Sequence, residues 1–242
     1  MKYTYLLVDM LTILVPLVFS FHSRIRFNKM FLYFLPGNLI VAFLFVAWDF
    51  SFTKLGVWGF SDKYTLGLRI FGLPLEEILF FICIPFACLF TYYCLVRFFQ
   101  IRWKRQITNT VIVIMSLVLA LAGLIYIQKL YTATSFITTA LLLIYVQFIA
   151  RVNWLPALIT IYPLLLIPFF IVNGILTGTG LEEPVVWYNN NENLGFRLLS
   201  IPIEDVAYGL ELILANVLFF EWFCEKGKVA IRPGNSVNAA NV

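Results

Sequence analysis

Residues 66–77 read LGLRIFGLPLEE, and residues 194–205 read LGFRLLSIPIED. At an offset of 128, Leu66, Gly67, Arg69, Pro74 and Glu76 recur as Leu194, Gly195, Arg197, Pro202 and Glu204, while Glu77 recurs as another acid, Asp205. Self-similarity at a fixed distance marks an internal duplication. Each copy runs directly into a long apolar stretch, so the proline and the two acids fall at the start of a helix. Proline suits the first helical position, and acids in the first turn complement the positive end of the helix dipole. Two acids in each copy, with an arginine seven residues before the first of them, exceed what a helix start requires.

Of the 242 residues, 62% are hydrophobic and 12% charged, against about 45–50% and about 25% in soluble domains. A chain of this length cannot hide so much apolar surface in one water-soluble core. Soluble enzymes, secreted disulfide scaffolds and disordered proteins are excluded, and an all-α integral membrane protein is expected. A span needs about 20 largely apolar residues. Seven stretches qualify, near 3–21, 31–50, 74–96, 108–127, 131–149, 154–176 and 202–223.

The 128-residue offset also carries the first stretch onto the fifth, from Tyr3-Thr4 to Tyr131-Thr132, so the first span is read as retained rather than as a signal peptide. Trp48-Asp49 and Val57-Trp58 have looser counterparts near Asn173 and at Val186-Trp187. The expected organisation is a three-helix repeat over 1–100, a linking helix over 101–130, a second three-helix repeat over 131–226 and a disordered tail over 227–242. The fourth span turns the chain back, giving both repeats the same orientation about an axis along the membrane normal. Both acidic motifs then share one depth and one side. Loops 51–73 and 177–201, rich in Trp, Tyr and Gly, are expected to form interfacial or re-entrant pieces.

The net charge of +4 does not point to nucleic acid, because the 17 Lys and Arg lie in short loops between apolar runs. Eleven fall on the side of Arg24 and Arg97 and six on the side of Lys63 and Arg69. The more positive side is expected to be cytoplasmic, which puts the N-terminus outside and the C-terminus inside the cell membrane. Four cysteines without a C-x-x-C pair and a single histidine, His22, offer no metal site. No nucleotide-binding, P-loop or diphosphate-gripping motif occurs, so no cofactor is expected.

Ionisable residues inside spans are costly and mark function. Clustered carboxyls in a low-dielectric site cannot all ionise, and one kept protonated is a ready general acid. On the last span Glu204, Tyr208, Glu211 and Ala215 share a helical face, which favours Glu204 over Asp205 as the cavity-facing acid; the matching face of the third span carries Glu76, Phe80 and Cys83. Arg69 and Arg197 are expected to hold the partner acids ionised. Asp49 is a further candidate for the site, whereas Asp9 aligns with an apolar residue, Ile137, and Glu182, Glu183, Glu192, Glu221 and Glu225 read as solvated. Aromatic residues, 18% of the chain, are expected mainly in lipid-facing and interfacial positions, with a minority able to stabilise a carbocation.

The doubled P-L-E-E and P-I-E-D motifs, each behind G-x-R, together with Trp48-Asp49 and Val186-Trp187-Tyr188-Asn189, resemble the membrane-integral lycopene cyclase domain family. In that family the two units occur as separate subunits or fused in one chain. The resemblance covers residues 3 to 223, with one departure: the counterpart of Asp49 is neutral, Asn173 or Thr177. It implies cofactor-independent cyclisation of the ψ ends of lycopene, through γ-carotene to β-carotene, with Glu76, Glu77, Glu204 and Asp205 as acids and bases and Glu76 and Glu204 foremost. The implied partners are lycopene and γ-carotene drawn from the bilayer, membrane lipid and other carotenoid-pathway enzymes. A related end-group enzyme, forming another ring or adding water, and a small proton-coupled transporter remain as alternatives.

Overall fold

The computed structural model describes residues 1–99 and 102–231. The chain runs α1 (Thr4–Ser20), a 3-10 turn (Phe27–Met30), α2 (Phe31–Leu55), β1 (Trp58–Phe60), β2 (Arg69–Ile70), β3 (Leu73–Pro74), α3 (Leu75–Phe98), α4 (Arg105–Ile125), α5 (Leu130–Ile144), α6 (Leu155–Leu176), β4 (Val186–Tyr188), β5 (Arg197–Leu198), β6 (Ile201–Pro202) and α7 (Glu204–Lys226). A π-helical stretch, Tyr145–Ile149, continues α5. Every helix except α1 belongs to a segment long and apolar enough to cross a membrane; α1 is shorter, at 17 residues.

Polar and apolar residues are distributed in reverse of a soluble protein. Leu11, Val15 and Val18 of α1, Leu39 and Phe43 of α2 and Leu117 and Leu121 of α4 are exposed, while Asp9, Asn38, Asp49, Glu76, Glu77, Glu204 and Asp205 are buried. Soluble monomers do not expose apolar belts of this kind. Prolines 16, 36, 85, 163 and 168 lie within helices that continue past them, as membrane helices tolerate when neighbours satisfy the freed carbonyls.

Between helices the contacts are close and polar. Asn38 of α2 donates to the Phe81 carbonyl of α3 and to Asn216 Oδ1 of α7, each at 3.0 Å. At Gly37 a Cβ would lie 2.6 Å from the Phe219 Cβ, so glycine is what lets α2 and α7 approach. The linking helix α4 packs chiefly along α5.

The two long loops contain no re-entrant helix. Each holds a two-residue β-hairpin, β2–β3 and β5–β6, closed at Phe71-Gly72 and Leu199-Ser200, and the loops join each other through the antiparallel pair β1–β4. Trp58 pairs with Tyr188 and Gly59 with Trp187. With Val57-Trp58-Gly59 matched to Val186-Trp187-Tyr188, the pairing is reciprocal, as in a contact between copies about a two-fold axis.

The structure revises two boundaries of the sequence reading. Disorder is expected from residue 227, but Val229 packs on the main apolar core and Ile231 is buried within it; the rest of that tail, 232–242 with Arg232, lies outside the described residues. The repeat register of the first span also shifts. The Tyr5 amide donates to the Tyr64 carbonyl at 3.2 Å and the Tyr131 amide to the Glu192 carbonyl at 2.9 Å, so Tyr5, and not Tyr3, is the counterpart of Tyr131. Asp9 then corresponds to Ser135, also buried, rather than to Ile137.

Candidate active site

Almost every residue of the repeated motif holds the hairpin onto its helix. The Leu66 amide donates to Glu76 Oε1 at 2.6 Å, and the Leu194 amide to Glu204 Oε1 at 2.7 Å. Thr132 Oγ1 adds a second donor to Glu204 at 2.6 Å. The glycines that follow, Gly67 and Gly195, have φ of +84° and +72°, a conformation L side chains avoid. The arginines clamp the hairpins: Arg69 donates to the Gly72 carbonyl and to Asp62, and Arg197 to the Ser200 carbonyl and to Asn190. Leu, Gly, Arg and the first acid are thus one folding unit, built twice.

The second acid of each motif has another destination. A step of one residue turns a helix by about 100°, and this carries Glu77 and Asp205 off the loop and onto the wall of a cavity of about 460 Å³. Asp49, near the end of α2, and Tyr208, one turn into α7, line the same cavity. Tyr5 OH donates to Glu77 Oε2 at 2.5 Å, and Tyr131 OH to Asp205 Oδ1 at 2.5 Å. The two tyrosines play one role at the starts of α1 and α5.

Beyond this matched pair the halves differ. Asp205 Oδ2 also accepts from Asn173 Nδ2 at 2.7 Å and Tyr188 OH at 3.0 Å. Asn173 is therefore the spatial counterpart of Asp49, which accepts from Trp58 Nε1 and leaves its second oxygen buried without a partner. Glu77 faces a neighbouring acid where Asp205 faces an amide donor. Tyr188, on β4, has its hydroxyl held well above the usual phenol range, first by burial and then by the Asp205 carboxylate, so it remains a donor at neutral pH.

Aromatic rings complete the chamber. Tyr131 stacks on Tyr188 with centroids 5.8 Å apart, and Trp58 meets Tyr131 edge-on at 5.1 Å. Tyr208 sits among Trp48, Phe45 and Tyr131. Faces of this kind attract a cation within about 6 Å.

Four expectations are corrected here. Glu76 and Glu204 do not face the cavity, because the loop amides capture them. Arg69 and Arg197 hold no cavity acid, because the hairpin turns and loop residues take their donors. Glu211 accepts from Thr138 and Thr139 of α5 at 2.8 and 3.2 Å instead of joining the cavity wall. Glu221, read as solvated, is buried and accepts from Tyr92 at 2.6 Å, whereas Glu182 and Glu183 are exposed as expected and bound across the two loops by Lys63 and Ser61 at 2.5 and 2.8 Å. Tyr5 escapes the sequence reading, and Tyr131, Trp58 and Tyr188 enter it only as repeat or motif residues, with no role at the site. No group of three or more His, Cys, Asp or Glu among the described residues is placed to hold a metal ion.

Residues 2–95 and 128–223 match the family model for lycopene cyclase, one motif and one set of three helices in each stretch. No curated protein and no solved structure is matched. With the family model covering most of its length in two repeated parts, the chain belongs to the lycopene cyclase family and is a carotenoid cyclase.

Proposed function

We propose that the protein converts the ψ end groups of lycopene into β-ionone rings, giving γ-carotene and then β-carotene, with Glu77 and Asp205 as its acid and base. The observation that carries this reading is the meeting of the second acid from each half in one aromatic cavity. A proton passes from the carboxylic acid to C2 of the terminal alkene, leaving the positive charge at C1. The C5=C6 electron pair then forms the C1–C6 bond, the charge moves to C5, and loss of the C6 proton to a carboxylate restores the C5=C6 bond. Atoms and electrons balance within the substrate, so the reaction is an isomerisation.

The hydrogen bonds divide the two roles. Three donors on Asp205 stabilise a carboxylate, which suits the base. Glu77 has one tyrosine donor and an acidic neighbour, Asp49, and two close carboxyls share a proton; this suits the acid. Asp49 supports Glu77 in holding that proton. Tyr131, Tyr188 and Tyr208 offer π faces to the charge at C1 and C5. In this reading the seven helices all span the cell membrane, both repeats point the same way, and the less positive loop side, with the site, faces outward. The substrates come from the bilayer, supplied by other carotenoid-pathway enzymes.

Expression in lycopene-accumulating cells tests the reading. The expected outcome is β-carotene, with deuterium on the ring carbon derived from C2 when the reaction runs in heavy water. Lycopene left unchanged by a folded, membrane-inserted protein overturns the activity. Unlabelled product overturns protonation as the trigger.

A further inference from the structure

The cavity does not end at the acids. Its wall continues along four helices, from Glu77 to Thr91 on α3, from Tyr5 to Pro16 on α1, from Leu176 back to Tyr162 on α6, and from Asp205 to Ile213 on α7. The fourteen steps from Glu77 to Thr91 on α3 correspond to about 21 Å at 1.5 Å per residue. Carboxyls and phenols crowd the loop end, and the remainder is almost wholly apolar. The chamber is a slot, wet in chemistry at one end and greasy along its length.

One side of this slot faces lipid. Leu11 of α1 and Ile171 of α6 both line it, yet they are 65% and 63% exposed. Pro168 of α6, also in the lining, is exposed too. α1 and α6 barely touch each other, so the residues of the wall are also the residues of an edge.

The repeat predicts a second slot, related by the two-fold axis, between α5 and α2. It is filled. Phe45 of α2 packs on Phe81 of α3 at 5.8 Å and on Tyr208 of α7 at 5.1 Å, with Trp48 against Tyr208 at 5.3 Å. α2 lies tightly on α3 and α7, whereas its counterpart α6 stands off from α7 and α3. A duplicated fold has kept one of two possible openings.

Resting on the cyclase reading, we infer that a linear polyene enters sideways from the bilayer between α1 and α6, and that only one of its ends is held at a time. A volume of about 460 Å³ lies within the range of about 300–1,000 Å³ that encloses a drug-sized ligand, which fits an end group and part of the chain but not a whole tetraterpene. The remainder of the polyene lies in the gap and in lipid. With the two-fold-related position packed by Phe45, Phe81, Trp48 and Tyr208, the other end is processed only after release and re-entry. The monocyclic carotenoid is therefore a free intermediate.

The test uses the full-length protein in phospholipid vesicles, with single substitutions Leu11→Cys and Ile171→Cys at the gap and Leu14→Cys and Leu164→Cys as exposed controls on the same helices outside the slot. Alkylation by a lipid-soluble maleimide is followed at each site by peptide mass spectrometry, in a Glu77→Gln background that prevents turnover. Added lycopene is expected to slow alkylation about ten-fold at positions 11 and 171 and to leave positions 14 and 164 unchanged. Equal rates with and without lycopene at all four positions, or equal protection at all four, overturn the entry route. With the unsubstituted protein converting labelled lycopene, excess unlabelled monocyclic carotenoid is expected to dilute the label in the bicyclic product, and undiluted label overturns the one-ended site. Protection at the gap without any conversion by the unsubstituted protein supports the slot while removing the cyclase reading. Conversion without protection does the reverse.

Discussion

At the scale of single residues, the two acids of each motif do different work although they are neighbours in the chain. Glu76 and Glu204 are fully buried acceptors for a loop amide, and Glu77 and Asp205 are the ones the cavity can reach. Glu77→Gln and Asp205→Asn are expected to lower turnover by about 10²–10⁴-fold, the range of general acid–base assistance, with helical content and thermal unfolding near those of the parent. Glu76→Gln keeps an acceptor for the Leu66 amide and is expected to retain activity within a few-fold. Glu76→Leu strands that amide and is expected to cost about 1–3 kcal/mol of stability, read as a lower unfolding midpoint in detergent. Activity lost in Glu76→Gln at parental stability would return the first acid to the chemistry. The sequence singles out four acids and favours Glu76 and Glu204 as the ones that turn inward, whereas the cavity is lined by Glu77 and Asp205. That choice is made by the Leu66 and Leu194 amides, contributed by the hairpin loop ten residues upstream.

At the scale of elements, the helices are legible as apolar runs because a membrane span must satisfy its backbone internally; a helix falls on each of the seven stretches, and six of them are long and apolar enough to span. The hairpins were not legible. Their strands are two residues long and carry no alternation, and they close at Phe71 and Leu199, large residues with positive φ, where turn chemistry leads one to look for Asn or Gly. The register of the first span was misread by two residues because Tyr3 and Tyr5 both offer a tyrosine to match Tyr131. Only the backbone bonds to Tyr64 and Glu192 separate them. Packing between elements gives its own prediction. Gly37→Leu places side-chain atoms where α7 already stands, and overpacking of this kind costs about 1–3 kcal/mol, measurable as a drop in thermal midpoint. Asn38→Leu removes two bonds between helices and is expected to cost between about 0.6 kcal/mol, the average for polar pairs in membranes, and about 1.7 kcal/mol, the largest value.

At the scale of the whole molecule, each half is a complete unit of three helices and a hairpin, and the linking helix α4 reaches the rest mainly by lying along α5. The halves meet through α2 against α7, through α3 against α6 and α7, and through β1–β4. Joined chains are not required for such contacts. Residues 1–128 and 129–242, expressed as two polypeptides in one cell, are expected to co-purify and to restore a substantial fraction of cyclase activity; fragments that fold separately yet fail to associate would contradict this. The β1–β4 ladder carries a further consequence. It is bonded through peptide groups and dictates one residue, Gly59, where a Cβ would run into the Trp187 ring, so it fixes the mutual pose of the two copies as long as that glycine is kept. Divergence is then free to act on the tissue between: an aspartate on one side and an asparagine on the other, an open flank here and a packed one there. A seam that asks little more of residue identity than one glycine beneath a tryptophan ring is what allows a doubled gene product to abandon equivalence without coming apart.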